Sequence, residues 1–123
     1  MIQFLWVFLG GGLGSVSRYG ISKLITHNFN LFFPLATLIA NVLSCIILIS
    51  LMVFFSEKKI INQNMELLLF VGFCGGFSTF STFSLETVLL FRSGYSAYAI
   101  LNIALSLAMC IGIVFILSKK LTI

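Results

Sequence analysis

Four apolar runs dominate the chain, at about residues 2–25, 34–55, 65–91 and 97–117, with short polar breaks between them. A helix of about 20 residues crosses the hydrocarbon core of a bilayer, so each run is long enough to span one. None alternates apolar and polar at every second position, as a membrane β-strand does. The pattern predicts an all-α membrane protein: a single domain over residues 1–123 with four transmembrane helices and no soluble part. End signals agree with these bounds. Pro34 opens the second run, and its missing N–H would have no partner in a first turn anyway. Asn64 can cap the third, with Glu66 in the first turn where the helix dipole favours an anion. Ser118-Lys119-Lys120 closes the fourth.

Composition strengthens the membrane reading. Of 123 residues, 60% are hydrophobic and 8% charged, and mean hydropathy is +1.19, so polar material is too scarce to cover a soluble surface. Lipid demands that backbone groups be satisfied internally, which long apolar helices do. The net charge of +4 comes from Arg18, Lys23, Lys58, Lys59, Arg92, Lys119 and Lys120 against three acids. Most of these cations flank apolar runs, as membrane-flanking residues do, and this argues against a nucleic-acid partner. Cys45, Cys74 and Cys110 lie in apolar segments without a CxxC pair and read as small, buried, reduced hydrophobes. His27 sits in a loop with no partner cluster. The first run has no basic residue before it and no evident cleavage site, so it reads as a helix rather than a signal peptide.

Charge gives little guidance on orientation. Lys58, Lys59, Lys119 and Lys120 fall on the side shared by both termini; Lys23, Arg92 and, near a helix end, Arg18 fall on the other. The positive-inside bias is small, and it leaves open both a single orientation and insertion both ways with antiparallel pairing.

The informative residues are polar ones at depth. In the first run Gly10 and Gly14, and Gly11 and Ser15, are four apart, a small-residue face for close helix packing. Arg18 follows, able either to reach the interface or to line an anion vestibule. In the second run Thr37, Asn41 and Ser44 form one stripe, either interhelical glue or the wall of a water-filled path. Asn102 and Ser106 repeat this form in the fourth. The third run is unusual: Gly75-Gly76 precedes five hydroxyl residues, Ser78, Thr79, Ser81, Thr82 and Ser84, interleaved with phenylalanines. Adjacent glycines weaken a helix by about 1 kcal/mol each relative to Ala. A break at this depth is tolerated only where protein buries it or water reaches it, and such breaks expose helix ends to ions. Phe80 and Phe83 share a face, and Glu86 is the carboxylate well inside a span.

Hydroxyls, amides and the positive edges of phenyl rings all donate toward an anion, and none carries a full charge. A path lined this way binds weakly enough to release, which conduction requires. No nucleophile–base pair, metal cluster or phosphate loop suggests an enzyme.

These residues carry a resemblance. The stretch 75–83 is similar to the GG-x-T-T-F-S-T-F signature of the CrcB/Fluc fluoride channels. Gly11-Gly12-Leu13-Gly14 with Arg18-Tyr19 resembles that family's first-helix motif, and residues 34–41 resemble its P-x-G-T-L-x-x-N stretch. The likeness runs in order along nearly the whole chain. It implies a passive fluoride exporter in the bacterial plasma membrane, assembled as an antiparallel, dual-topology dimer with two pores, either a homodimer or a heterodimer with a paralogue. It assigns Asn41 to the pore, Phe80 and Phe83 to an aromatic box, and Thr37, Ser81, Thr82 and Glu86 to a polar track, with Ser106 fitting from the fourth helix. It also implies a structural sodium ion, not transported, on the backbone carbonyls of Gly75 and Ser78. Ser78 stands where the family has Thr, Ala36 and Ser44 where it has Gly, and Asn102 where it has Tyr. Two rivals are a small multidrug-type exporter, which needs a titratable carboxylate that the first run lacks, and a non-transporting membrane subunit.

Overall fold

The computed structural model describes residues 1–121. Helix α1 spans Ile2–Asn28 and α2 spans Leu35–Lys58. The third apolar run is divided: α3 (Gln63–Glu66) continues into a π-helical stretch, Leu67–Cys74, then α4 (Gly75–Phe77) and, after an interruption, α5 (Phe80–Arg92). Helix α6 (Ser96–Ser118) follows, and no strand occurs among the described residues. Two end signals shift against the sequence expectation. Pro34 is the residue before α2 rather than in its first turn, and Asn62, not Asn64, caps α3 by accepting the Met65 N–H at 2.9 Å.

Three stretches are long and apolar enough to cross a membrane: α2, residues 63–92 and α6. The sequence reading expected four. Helix α1 has the length, at 27 residues, but Gly10 to Gly12, Gly14, Ser15, Ser17 and Arg18 dilute its hydropathy. The same small residues explain its packing. A Cβ on Gly10 would overlap the Leu68 carbonyl oxygen, one on Gly14 the Phe73 carbonyl oxygen, and one on Gly76 the Gly11 carbonyl oxygen. Backbone lies on backbone here, the contact that small residues four apart permit in membranes. Across this seam the π-helical stretch, with its wider i→i+5 turn, faces α1.

Helix α2 packs on α6, and α6 on α5. Their shared interior is partly polar: Thr37, Ser44, Thr87, Asn102 and Ser106 are all buried. Large apolar side chains point outward instead, with Ile111, Phe115 and Ile116 each 64% exposed. That inversion suits lipid, where apolar surface need not be hidden and polar groups must find partners within the protein.

The glycine pair does not itself leave the helix. Gly75 has φ −64° and ψ −38°. The residues out of helical geometry are Ser78 (φ −81°, ψ 156°) and Thr79 (φ −148°, ψ 114°). Gly76 is small because α1 presses on it, and the extended residues are held by the Asn41 side chain of α2.

Candidate functional site

Three successive turns of α2 hold the third run before, at and after its interruption. Ser44 donates from Oγ to the Cys74 carbonyl at 3.1 Å. Asn41 takes both backbone groups of Thr79: its Nδ2 donates to the carbonyl at 3.2 Å, and the Thr79 N–H donates to its Oδ1 at 2.8 Å. Thr37 donates from Oγ1 to Glu86 Oε1 at 2.8 Å. An extended residue loses its helical partners, and an unpaired peptide group away from water is destabilising by about 1–3 kcal/mol. Asn41 is the only standard kind of side chain, with Gln, that offers one acceptor and two donors together. One amide N–H remains after Thr79 is served.

Beyond the interruption, Thr79 caps α5. Its Oγ1 accepts the Thr82 N–H at 3.3 Å and donates to Thr82 Oγ1 at 3.0 Å, with Ser81 Oγ also 3.3 Å away. The Thr82 hydroxyl proton is left to serve another acceptor. The first N–H groups of α5 carry the positive end of its dipole.

A cavity of about 230 Å³ opens at this point, with Asn41, Phe80, Phe83 and Ser106 in its wall. The rings of Phe80 and Phe83 lie 5.6 Å apart and are tilted by 42°. Phe80 is 76% exposed, whereas Phe83 is half-buried. A relay supports the far wall. Ser106 Oγ donates to Asn102 Oδ1 at 3.4 Å, Asn102 Nδ2 donates to Thr87 Oγ1 at 2.9 Å, and Thr87 Oγ1 donates to the Phe83 carbonyl at 2.8 Å. No Lys or Arg lines this cavity.

Five of the sequence-predicted residues, Asn41, Ser78, Phe80, Phe83 and Ser106, therefore meet in one cavity. Ser81 and Thr82 join the Thr79 cap instead and do not line it. Thr37 and Glu86 pair further along α5, where Glu86 borders a second cavity of about 240 Å³ with Phe32, Pro34 and Tyr95. Its Oε2 is buried and has no hydrogen-bond partner. Sequence reasoning missed Thr87 and the capping role of Thr79. The available signal for Thr87 was its spacing of four from Phe83, which places it on the same helix face.

The other side of the interruption presents carbonyls. The Cys74 carbonyl accepts from both Ser78 N and Ser78 Oγ, and that of Gly76 from Ser15 Oγ at 3.4 Å and Arg18 Nε at 3.3 Å. Arg18 thus turns toward this backbone. No turn, cap or side-chain bond among the described residues reaches the carbonyls of Gly75 or Ser78, and both residues are exposed. A Cβ on Gly75 would meet nothing within 4 Å. Free carbonyls on exposed residues fit a small hard cation, which prefers oxygen ligands. No cluster of three His, Cys, Asp or Glu offers a side-chain site among the described residues.

Apolar helices with an outward lipid-compatible surface, an interrupted segment and an uncharged cavity that holds the Asn41 amide and two phenyl rings define a multi-pass membrane protein built to handle a small ion. The chain belongs to the CrcB family: residues 5–117 match the family described as CrcB-like protein, Camphor Resistance (CrcB). It is 42% identical over 114 residues to a protein of Coxiella burnetii (strain CbuK_Q154) named fluoride-specific ion channel FluC, with 90% of each chain covered. A Clostridium perfringens (strain 13 / Type A) protein of the same name is 41% identical over 121 residues, covering 98% of this chain and 94% of its own. One from Ruminiclostridium cellulolyticum, also of that name, is 43% identical over 111 residues, covering 90% and 85%.

Proposed function

We propose that this chain is the subunit of a fluoride-specific ion channel of the bacterial plasma membrane, letting fluoride leave the cytoplasm passively, with no enzymatic step. The observation that carries the reading is the cavity where Asn41, Phe80, Phe83 and Ser106 converge without a cation in the wall. Fluoride is a small, strongly hydrated acceptor. It must exchange water for other donors, and these must release it again. The spare Asn41 amide proton and the positive edges of the two phenyl rings supply such donors. The N-terminal end of α5 adds partial positive charge without a fixed ion. Similar proteins named as fluoride-specific channels support the choice of ion.

The same features support a finer reading of the assembly. Helix α1 serves as the fourth span, tied to the others through its glycine seam. Ser78 and Thr79 divide the third span near its centre, and Ser81, Thr82, Thr37 and Glu86 continue the polar path beyond the rings. Two copies pair antiparallel, since a two-fold axis in the membrane plane passes through the midplane and brings such interruptions together. The homodimer is the simpler form; a paralogue sharing this surface would give a heterodimer. Sodium bound by the Gly75 and Ser78 carbonyls of both copies would neutralise partial negative charge at the axis, a structural role.

Growth of a fluoride-sensitive bacterial strain tests the reading. Expression of the chain restores growth in fluoride medium, and Phe83→Ile abolishes the rescue at equal protein levels. Protection against cationic drugs in place of fluoride would point to the multidrug-type rival; protection against neither would point to a non-transporting subunit.

A further inference from the structure

The cysteines differ from the uniform set of small buried hydrophobes that their sequence context suggests. All three are free, but only Cys74 is fully buried. Cys45 on α2 and Cys110 on α6, two helices packed on each other, are half-buried and line the same two spaces. The pair stands in the wall between two spaces. One is the cavity of about 230 Å³ that holds Phe80, Phe83 and Ser106. The other, of about 450 Å³, is lined by Ile111, Val114 and Phe115 as well as by both thiols. Neither cysteine takes part in the hydrogen-bond relay of the polar site.

Two thiols on packed helices, in the wall of the same two spaces, form a soft donor pair. Thiolates select soft metals, whereas oxygen-seeking ions are poorly served. A tetrahedral zinc site requires four ligands, and no third His, Cys, Asp or Glu joins this pair among the described residues. Linear two-coordination is the geometry that two ligands complete. Charge narrows the choice further. Two thiolates around a monovalent soft ion leave a net negative complex, expensive at membrane depth. Around a divalent ion the complex is neutral.

We propose that Cys45 and Cys110 form a dithiol site for a soft divalent cation of linear coordination, with Hg(II) as the type, and that its occupation obstructs the adjoining cavity. Each thiol gives up its proton to solvent, two mercury–sulfur bonds replace the two mercury–chloride bonds of the entering salt, the chlorides leave to solvent with the protons, and no atom changes oxidation state. An uncharged mercuric salt can enter through the apolar space beside Ile111 and Val114. The obstruction half of the inference rests on the channel reading above; the binding half does not.

Mercuric chloride titration of the purified full chain tests the site. The expected result is one Hg(II) per chain, with mercury–thiolate ultraviolet absorption that persists in excess glutathione. Cys45→Ser and Cys110→Ser each leave a single thiol and should shorten retention by about a hundredfold, the advantage of an intramolecular second ligand. Cys74→Ser should retain the metal as the unaltered protein does. Equal retention by the Cys45→Ser or Cys110→Ser variant, or loss in Cys74→Ser, would overturn the site. In liposomes, one equivalent of Hg(II) should stop fluoride efflux, and dithiothreitol should restore it. Full efflux with the metal bound would overturn the obstruction. Absence of efflux before any metal is added would count against the channel reading alone, with the titration still deciding the site.

Discussion

Along α1, Gly10 and Gly14 place backbone directly against the backbone of residues 68–73; along α2, Thr37, Asn41 and Ser44 reach the same third run with side chains. The first contact leaves no room for a Cβ. The second leaves a cavity of about 230 Å³ beside it. Close backbone contact makes a frame whose spacing is set by what is missing from the residues. Side-chain contact makes a wall whose chemistry is set by what each residue carries. The third run needs both: pressed on one face, it is held open on the other.

The largest effect should come from filling the frame. Gly14→Val puts a branched side chain where the Phe73 carbonyl lies. Overpacking of this kind is destabilising by about 3 kcal/mol or more, because backbone cannot yield as a flexible side chain does. Thermal unfolding in detergent should show a large loss of stability, or no folded protein should be recovered. Gly12→Ala, where a Cβ meets nothing within 4 Å, is the matched control and should be silent. Equal tolerance of both changes would break the comparison on its packing side.

The wall should respond in transport while folding persists. Phe80→Ile and Phe83→Ile keep bulk but remove the aromatic edge, and fluoride throughput should fall strongly with the helical signal unchanged. If both variants conduct normally, the rings only pack. Asn41→Asp keeps the acceptor for the Thr79 N–H, loses the donor to its carbonyl, and adds a negative charge at depth worth about 3 kcal/mol if ionised. Flux should be abolished at neutral pH; unaltered flux would place Asn41 outside the path. Thr37→Val removes one hydrogen bond to Glu86, and about 1 kcal/mol of stability should go with it. The smallest effect is expected at Ser78→Thr. The predicted sodium contact is through backbone and the residue is exposed, so sodium-dependent dimer stability should be unchanged. A large loss there would mean that the side chain itself is a ligand.

The two seams also differ in how far the sequence discloses them. The glycine spacing in α1 announces close packing because the property needed, absence of a side chain, is printed in the residues. The stripe on α2 announces a polar face but not its partner. Asn41 meets Thr79 across 38 positions, and no local pattern encodes that distance. For the same reason, the departure from helical geometry falls at Ser78 and Thr79 rather than at the glycines. Local propensity marks Gly75-Gly76 as weak, but a tertiary hydrogen-bond pair decides where the chain opens. Asn102 stood out in sequence as a polar stripe with Ser106 and as a departure from the family pattern; its link from Ser106 to Thr87 needed three dimensions. The meeting of Cys45 and Cys110 in the wall of the same two spaces was equally hidden, since each residue alone looks like a small apolar filler.

Anion flux from liposomes containing the purified single chain tests the central claim most directly. Vesicles loaded with fluoride or with chloride are opened to a gradient under a potassium clamp, and efflux is followed with an ion-selective electrode. An uncharged path past the Asn41 amide and the two phenyl edges should pass fluoride rapidly and hold back chloride, with fluoride efflux lost in Phe83→Ile. Comparable fluoride and chloride currents, or no fluoride efflux from folded protein, would contradict the assignment of the Asn41, Phe80, Phe83 and Ser106 cavity as a fluoride path.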